Sequence, residues 1–174
     1  MWEAELTKGI ERVREFLLSR GINAQVVELD ASTKSSQLAV QALGCSVGEI
    51  AKSVVFTGYR TVVVTLSGIR RVKLEKLVMT VGSKLRVASA EEVKTLTGYD
   101  AGGVPLFPHY EGIGVFPDVS LTTYPRVWAA AGEQNAVMQL SVDELVRTIG
   151  RAVVDEGPRM TNFWCRVPER LRPR

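Results

Sequence analysis

One histidine and two cysteines are the whole supply of imidazole and thiol metal ligands in this 174-residue chain. Cys45 and Cys165 lie far apart and His109 has no second histidine, so the spacing of a zinc site is missing. Two cysteines also make no disulfide framework. No G-x-S-x-G elbow occurs and neither cysteine sits in a reactive motif, so no nucleophile–histidine–acid triad is signalled. No Gly-Lys-Ser/Thr closes a Walker loop, and the G-x-G-x-x-G of dinucleotide binders is absent. Apolar runs stop short of the ~20 residues that span a bilayer. The opening MWEAELTKGIERV carries acids in a helical pattern, unlike a secretory leader. The chain therefore reads as cytoplasmic, with no metal, no cofactor and no membrane association.

What is present is ordinary for a globular protein: 45% hydrophobic and 24% charged residues, with a net charge of +3. The length suits one domain with a real core. Periodic patterning runs to about residue 150, which marks 1–150 as the domain. Residues 151–174 hold six arginines against three carboxylates, an excess equal to the net charge of the whole chain. They read as a basic tail, either a partly ordered terminus or an arm for RNA with Phe163 and Trp164 as docking groups.

Leu6, Ile10, Val13 and Leu17 predict an amphipathic helix over Glu5–Arg20, ended by Gly21. Ala24–Leu29 reads as a strand, Asp30–Lys34 as a turn and Ser35–Leu43 as a helix. Lys52–Thr57 and Thr61–Leu66 are β-branched runs split by Gly58-Tyr59-Arg60, a hairpin signal. Arg70, Arg71 and Lys73 precede a helix over Leu74–Val81, and Leu85–Ala88 is a short strand. Ile113–Phe116, Arg126–Ala131 and Ala136–Leu140 are further strands, the last two a hairpin. Capping-box patterns at Ser46–Glu49, Ser89–Glu92 and Ser141–Glu144 mark three helix starts. This order predicts an α/β (α+β) domain with a mainly antiparallel or mixed sheet, not a doubly wound parallel one.

The stretch Leu96–His109, LTGYDAGGVPLFPH, combines a glycine pair, two prolines and the lone histidine. Gly102 and Gly103 let another molecule approach the main chain, and Pro105 and Pro108 stiffen the second half of the stretch. It is either a surface connection or a loop that aims bare backbone groups at a ligand. Lys52, at the mouth of an apolar strand, is likewise either an edge lysine that snorkels to water or a cation held beside a pocket.

Four motifs in order bear on these choices: Ile50-Ala51-Lys52-Ser53-Val54-Val55-Phe56, the Gly102-Gly103 loop, Phe116-Pro117-Asp118-Val119-Ser120-Leu121, and Val127-Trp128-Ala129-Ala130-Ala131-Gly132 with Asn135-Ala136-Val137. Together, from about Gly21 to Gly150, they resemble the YbaK/ProX-type aminoacyl-tRNA deacylases, trans-editing proteins related to the insertion domain of bacterial prolyl-tRNA synthetases. The resemblance implies a curved, barrel-like sheet surrounded by helices with a pocket at its edge. It also implies hydrolysis of a mischarged aminoacyl-tRNA ester, on tRNA-Pro, by water or a substrate group rather than a protein nucleophile. Lys52, Gly102, Gly103 and Asp118 then fall on the catalytic positions. Val104, Pro105, His109, Ala130, Ala131 and Gly132 fall on the substrate-binding ones. Aminoacyl-tRNA is the implied partner, with prolyl-tRNA synthetase as a second.

The chain departs from the family pattern at Leu106 and Pro108 within the loop. It also departs at Ala24 and Ala130, where the cysteinyl-specific branch carries Tyr and Ser. Losing two hydroxyls points away from cysteinyl specificity and toward selection by size among alanine, serine and cysteine. Two rival readings keep the same residues: a non-catalytic module that binds aminoacyl-tRNA or a synthetase, and a hydrolase of small amino esters.

Overall fold

The computed structural model describes residues 8–29 and 36–149. Leu6, the expected turn at Asp30–Lys34 and the basic tail at 151–174 lie outside the described residues.

Helix α1, Gly9–Arg20, buries Ile10, Val13 and Leu17, one stripe at helical spacing. Gly21 ends it in the left-handed region at φ 61°. Strand β1, Gln25–Glu28, is followed by helix α2, Ser36–Leu43. Strand β2, Ile50–Gly58, and strand β3, Val62–Ser67, form the expected hairpin, with Lys52 opposite Leu66 and Phe56 opposite Val62. Every residue of β3 is buried, as its run of β-branched residues fits a strand covered on both faces. Helix α3, Leu74–Val81, strand β4, Leu85–Val87, and helix α4, Ala90–Thr97, follow. Strand β5 is Gly114–Pro117, and strands β6, Arg126–Ala130, and β7, Ala136–Ser141, form the second hairpin before helix α5, Val142–Ile149.

The seven strands form one mixed sheet in the order β1-β7-β6-β2-β3-β5, with β4 also pairing β2. The β2–β6 and β3–β5 pairs are parallel, and the others antiparallel. The sheet is not closed into a barrel. β1 and β5 stand at its two ends, so the barrel-like closure implied by resemblance is not formed. Among the described residues, β1 pairs only with β7 and β5 only with β3, so no ladder joins the two ends. The sheet also divides along one edge of β2. Ile50 and Ala51 pair with β6, whereas Phe56, Thr57 and Gly58 pair with β4. Two strands share that edge and diverge, and the sheet splits at Lys52–Val54 instead of continuing.

Two apolar clusters fill the two faces. The larger joins α1 and α5 to Ala51, Val55, Val63, Ala129, Met138 and Leu140, and takes in Val104, Leu106 and Phe107 from the glycine–proline loop. The smaller packs Leu77 and Val81 of α3 on Phe56, Val62, Val64, Leu66 and Phe116. The loop is therefore part of the core rather than a surface connection. Leu106 is wholly buried, and burying a side chain of that size contributes about 1.5–3 kcal/mol. No described helix is long and apolar enough to cross a membrane.

The three capping boxes differ once their partners are seen. Ser89 accepts from the Glu92 N–H at 3.2 Å and its own N–H donates to the Glu92 carboxylate at 2.8 Å, the full reciprocal pair. Arg86 also donates to Glu92, and these bonds hold its carboxyl down at about 2. Ser46 instead donates both its N–H and its hydroxyl to Glu49, at 2.8 and 2.7 Å, and starts only a 3-10 turn, Val47–Glu49. At α5, Ser141 caps the Glu144 N–H at 3.2 Å, but the Glu144 carboxylate turns away to accept from the Asn23 N–H at 2.9 Å. That box is half spent on tying α5 to the segment before β1.

Candidate active site

The split in the sheet is a cavity of about 230 Å³. Its walls come from β2 (Ile50, Ala51, Lys52 and Ser53), from β6 (Trp128, Ala129 and Ala130), and from Val137 of β7 and Ala39 of α2. Gly102 and Val104 complete it from the glycine–proline loop. At this size it falls below the ~300–1,000 Å³ typical of sites for drug-sized molecules, and it suits a single small group.

Lys52 is the one cationic side chain in this lining. Its ammonium reaches back to the Gly68 carbonyl at 3.5 Å, a long bond that leaves donors to spare. Burial lowers its pKa, and the neighbouring Arg71 guanidinium adds to the fall because two like charges disfavour each other. The Gly68 turn is itself fixed from below. The Gly68 N–H donates to the Ile50 carbonyl at 2.7 Å, and the wholly buried Ser67 donates its hydroxyl to the Gly48 carbonyl at 2.7 Å. The lysine is thus a partly desolvated cation in the lining of a small hollow with both polar and apolar walls.

The loop presents backbone, as its glycines suggest. Gly102 has φ 91° and lines the cavity, with its neighbour Ala101 held by the Gln134 amide at 3.0 Å. Gly103 is buried: its N–H donates to the Asp100 carbonyl at 2.9 Å and its carbonyl accepts from the Gly132 N–H at 3.0 Å. A Cβ at Gly103 would press on the Glu133 backbone at 3.0 Å, and one at Gly132, φ 96°, would collide with Gly9 at the start of α1. These glycines let the loop, the β6–β7 turn and α1 meet backbone to backbone.

Of the residues expected at the site, Lys52, Gly102, Val104 and Ala130 line the cavity. Gly103, Pro105, Ala131 and Gly132 are buried and not in that lining; the Ala131 N–H donates to the Ala136 carbonyl at 2.9 Å across the hairpin. Asp118 is not in the lining. It is 1% exposed and caps a 3-10 turn, Val119–Thr123, by accepting from the Ser120 N–H at 2.9 Å. Its own N–H donates to the Thr65 carbonyl at 2.6 Å. His109 also lies away from the lining. It makes a bond of 3.0 Å to the Pro105 carbonyl and packs edge-on against Tyr99. Burial pushes its pKa down to about 4, with the Arg12 charge adding to the fall. Arg12 stacks over both Tyr99 and Tyr110, at 4.4 and 4.7 Å from the ring centres, and the Tyr99 hydroxyl donates to the Pro108 carbonyl at 2.9 Å. Burial raises the Tyr99 pKa to about 12. This is a clasp that shapes the loop from behind.

The pattern of residues did not single out Ser53, Trp128, Ala39 or Val137 as lining. Trp128 and Ser53 lie inside motifs that carry the family resemblance, but only the register and the split bring them to the cavity. Ala24, opposite in role to what the cysteinyl branch would require, packs on the larger core and is absent from the lining. Among the described residues no three His, Cys, Asp or Glu side chains gather to hold a metal.

Comparison with known proteins places the fold in a family. Residues 30–148 match the model of the aminoacyl-tRNA editing domain. The uncharacterized protein YwhH of Bacillus subtilis (strain 168) is 32% identical over 122 residues, 69% of this chain and 78% of that protein. A crystal structure of a candidate trans-editing enzyme for prolyl tRNA synthetase is 40% identical, covers 86% of this chain and 97% of its own, and superposes with a TM-score of 0.79. The crystal structure of hypothetical protein APE2540 is 29% identical, covers 83% and 97%, and superposes at 0.78.

Proposed function

The chain belongs to the aminoacyl-tRNA editing domain family, and on that premise we propose that it hydrolyses, in trans, the ester of a tRNA mischarged with alanine, serine or cysteine, on tRNA-Pro. The observation that carries the reading is the small cavity at the sheet split, with a partly buried ammonium in its lining and bare backbone along one wall. Such a hollow admits a small aminoacyl group and leaves the nucleotide outside, where Arg70, Arg71 and Lys73 follow the Gly68 turn in sequence.

An aminoacyl ester is already activated, so positioning and stabilisation of the developing oxyanion matter more than a strong nucleophile. Water attacks the ester carbonyl carbon, the bond to the ribose oxygen breaks, and the amino acid leaves as the tRNA recovers its hydroxyl. Lys52 meets the negative charge, either that forming on the carbonyl oxygen or that of the terminal phosphate. Backbone groups of Gly102 and Val104 orient the ester. Gly103, Pro105, Ala131 and Gly132 keep that wall in place. Asp118 acts from beyond β3, by fixing the turn that follows β5, and His109 supports the loop. Prolyl-tRNA synthetase is the partner that a relative's description suggests.

The test is a panel of alanyl-, seryl- and cysteinyl-tRNA-Pro incubated with the protein, beside the correctly charged prolyl-tRNA-Pro. Release of at least one small amino acid while prolyl-tRNA-Pro survives is the expected result. Binding of all four without release of any would instead favour a non-catalytic module.

A further inference from the structure

Asp118 is absent from the cavity lining, yet hydrogen bonds connect it to the Lys52 ammonium. Strand β3 ends at Ser67, which is wholly buried. On β5, Pro117 pairs with Thr65, the last rung of that parallel ladder. A further rung would take the Ser67 N–H to the Asp118 carbonyl. That carbonyl is used otherwise: it accepts from the Leu121 N–H at 3.1 Å as the chain enters its 3-10 turn. The Ser120 hydroxyl stands in for it and accepts from the Ser67 N–H at 3.2 Å. Ser120 is placed in turn by its own N–H, which donates to the Asp118 carboxylate at 2.9 Å. After Ser67 comes Gly68, seated so closely on the turn Val47–Glu49 that a Cβ there would lie 2.5 Å from the Val47 carbonyl oxygen. Among the described residues, the Gly68 carbonyl is the hydrogen-bond partner of the Lys52 ammonium, at 3.5 Å.

The strand fixes only the root of the lysine, and its stem is flexible. A bond of 3.5 Å aims the ammonium weakly, so its direction depends on the carbonyl staying where it is. Gly68 is a permissive residue, and Ile69 beyond it is exposed, so little packing holds the turn from its far side. What fixes it comes through Ser67, whose hydroxyl is tied to the Gly48 carbonyl and whose N–H is tied to Ser120. We propose that Ser120 is a positioning residue for the reaction: held by Asp118, it fixes Ser67 and the Gly68 carbonyl, and so keeps the Lys52 ammonium in the lining of the cavity. This gives Asp118 a part in the reaction without bringing it to the substrate. The inference deepens the editing reading above and rests on it.

The test reads the ammonium directly. The full chain, isotopically labelled at the lysine Cε, is titrated by NMR as wild type, Ser120→Ala and Ser120→Thr, with the Lys52 signal identified by its loss in Lys52→Ala. In wild type, burial and then the Arg71 charge hold the Lys52 pKa below the ordinary lysine value. In Ser120→Ala the ammonium swings to water and its pKa rises toward that value, while single-turnover deacylation of mischarged tRNA-Pro slows roughly tenfold or more. Ser120→Thr keeps the hydroxyl and restores both. A merely structural role would lower the melting temperature and leave the titration and the rate of the folded protein unmoved. An unmoved or lowered pKa in folded Ser120→Ala, a rate equal to wild type, or no recovery in Ser120→Thr would each overturn the assignment. Should Ser120→Ala not fold, Ser120→Cys, whose sulfur is a weaker acceptor, carries the same test with the same expected direction and the same contrary results. The titration separates this from the underlying reading. If wild type hydrolyses no ester, the deacylase falls, while a Ser120-dependent titration still shows the ammonium to be held through Ser120. Hydrolysis with a Ser120-independent titration does the reverse.

Discussion

Lys52 and Ser53 are adjacent in the chain and serve different faces of one strand, and they show how unevenly sequence exposes a site. Lys52 breaks an apolar run and falls on a motif position, so it stands out. Ser53 does not, because a serine in a strand is common and its meaning depends on the register that sets Thr65 opposite and on the split that opens a cavity beside it. The Thr65 Oγ1 is buried without a hydrogen bond, so Thr65→Val, which keeps shape and removes the polar group, raises stability by about 1 kcal/mol in chemical denaturation; a fall of that size would mean that Thr65 is hydrogen-bonded after all. His109 carries a second prediction. Its folded pKa of about 4 lies below the ordinary 6.5, so the unfolded chain takes up the proton first as pH falls. Stability is full above about pH 6.5 and is lost toward pH 4, by up to ~3 kcal/mol for this one group. His109→Gln, which can still donate to the Pro105 carbonyl, should show a shallower acid loss in melts recorded across that window. An unchanged slope would assign the acid sensitivity to other groups.

The elements were legible in their core stretches because the β-branched runs and capping glycines state them locally. Gly21, Gly82 and Gly98 all end their helices with positive φ, as the pattern requires. The 3-10 turn at Val119–Thr123 was hidden, since Asp118 reads equally as a turn residue and as a pocket residue. The loop's burial was hidden too, because Gly and Pro signal a turn while Val104, Leu106 and Phe107 anchor it in the core. Where elements meet, glycine does what no other residue can. At Gly132 a side chain would meet both an unfavourable φ of 96° and the Gly9 backbone. Gly132→Ala is therefore expected to cost at least ~2 kcal/mol. It should also displace α1 from the β6–β7 turn, seen as faster amide exchange near Ile10 and Gly103. A variant as stable as wild type would show that the contact is loose.

Across the whole molecule, the mixed sheet follows from the order of strands and helices, but its opening does not. Closure depends on whether β1 and β5 meet, and the split on two partners sharing one edge of β2, facts of three-dimensional pairing that periodicity cannot carry. That split places a cation, a backbone wall and a small hollow together, with arginines close by in sequence. Because the proposed substrate is a polyanion, deacylation of aminoacyl-tRNA should fall steeply between about 50 and 200 mM salt at subsaturating substrate, roughly linearly on a log–log scale, while hydrolysis of a short amino ester stays nearly flat. Equal salt dependence for both substrates would remove RNA from the account.

The most direct test of the central claim is the single-turnover rate of deacylation of seryl- and alanyl-tRNA-Pro by wild type and by Lys52→Ala, with circular dichroism confirming that both are folded. A loss of about 100-fold or more in the variant is predicted, the scale expected when a group that meets developing charge is removed. A folded Lys52→Ala protein that releases the amino acid as fast as wild type would contradict the placement of the reaction at the sheet split.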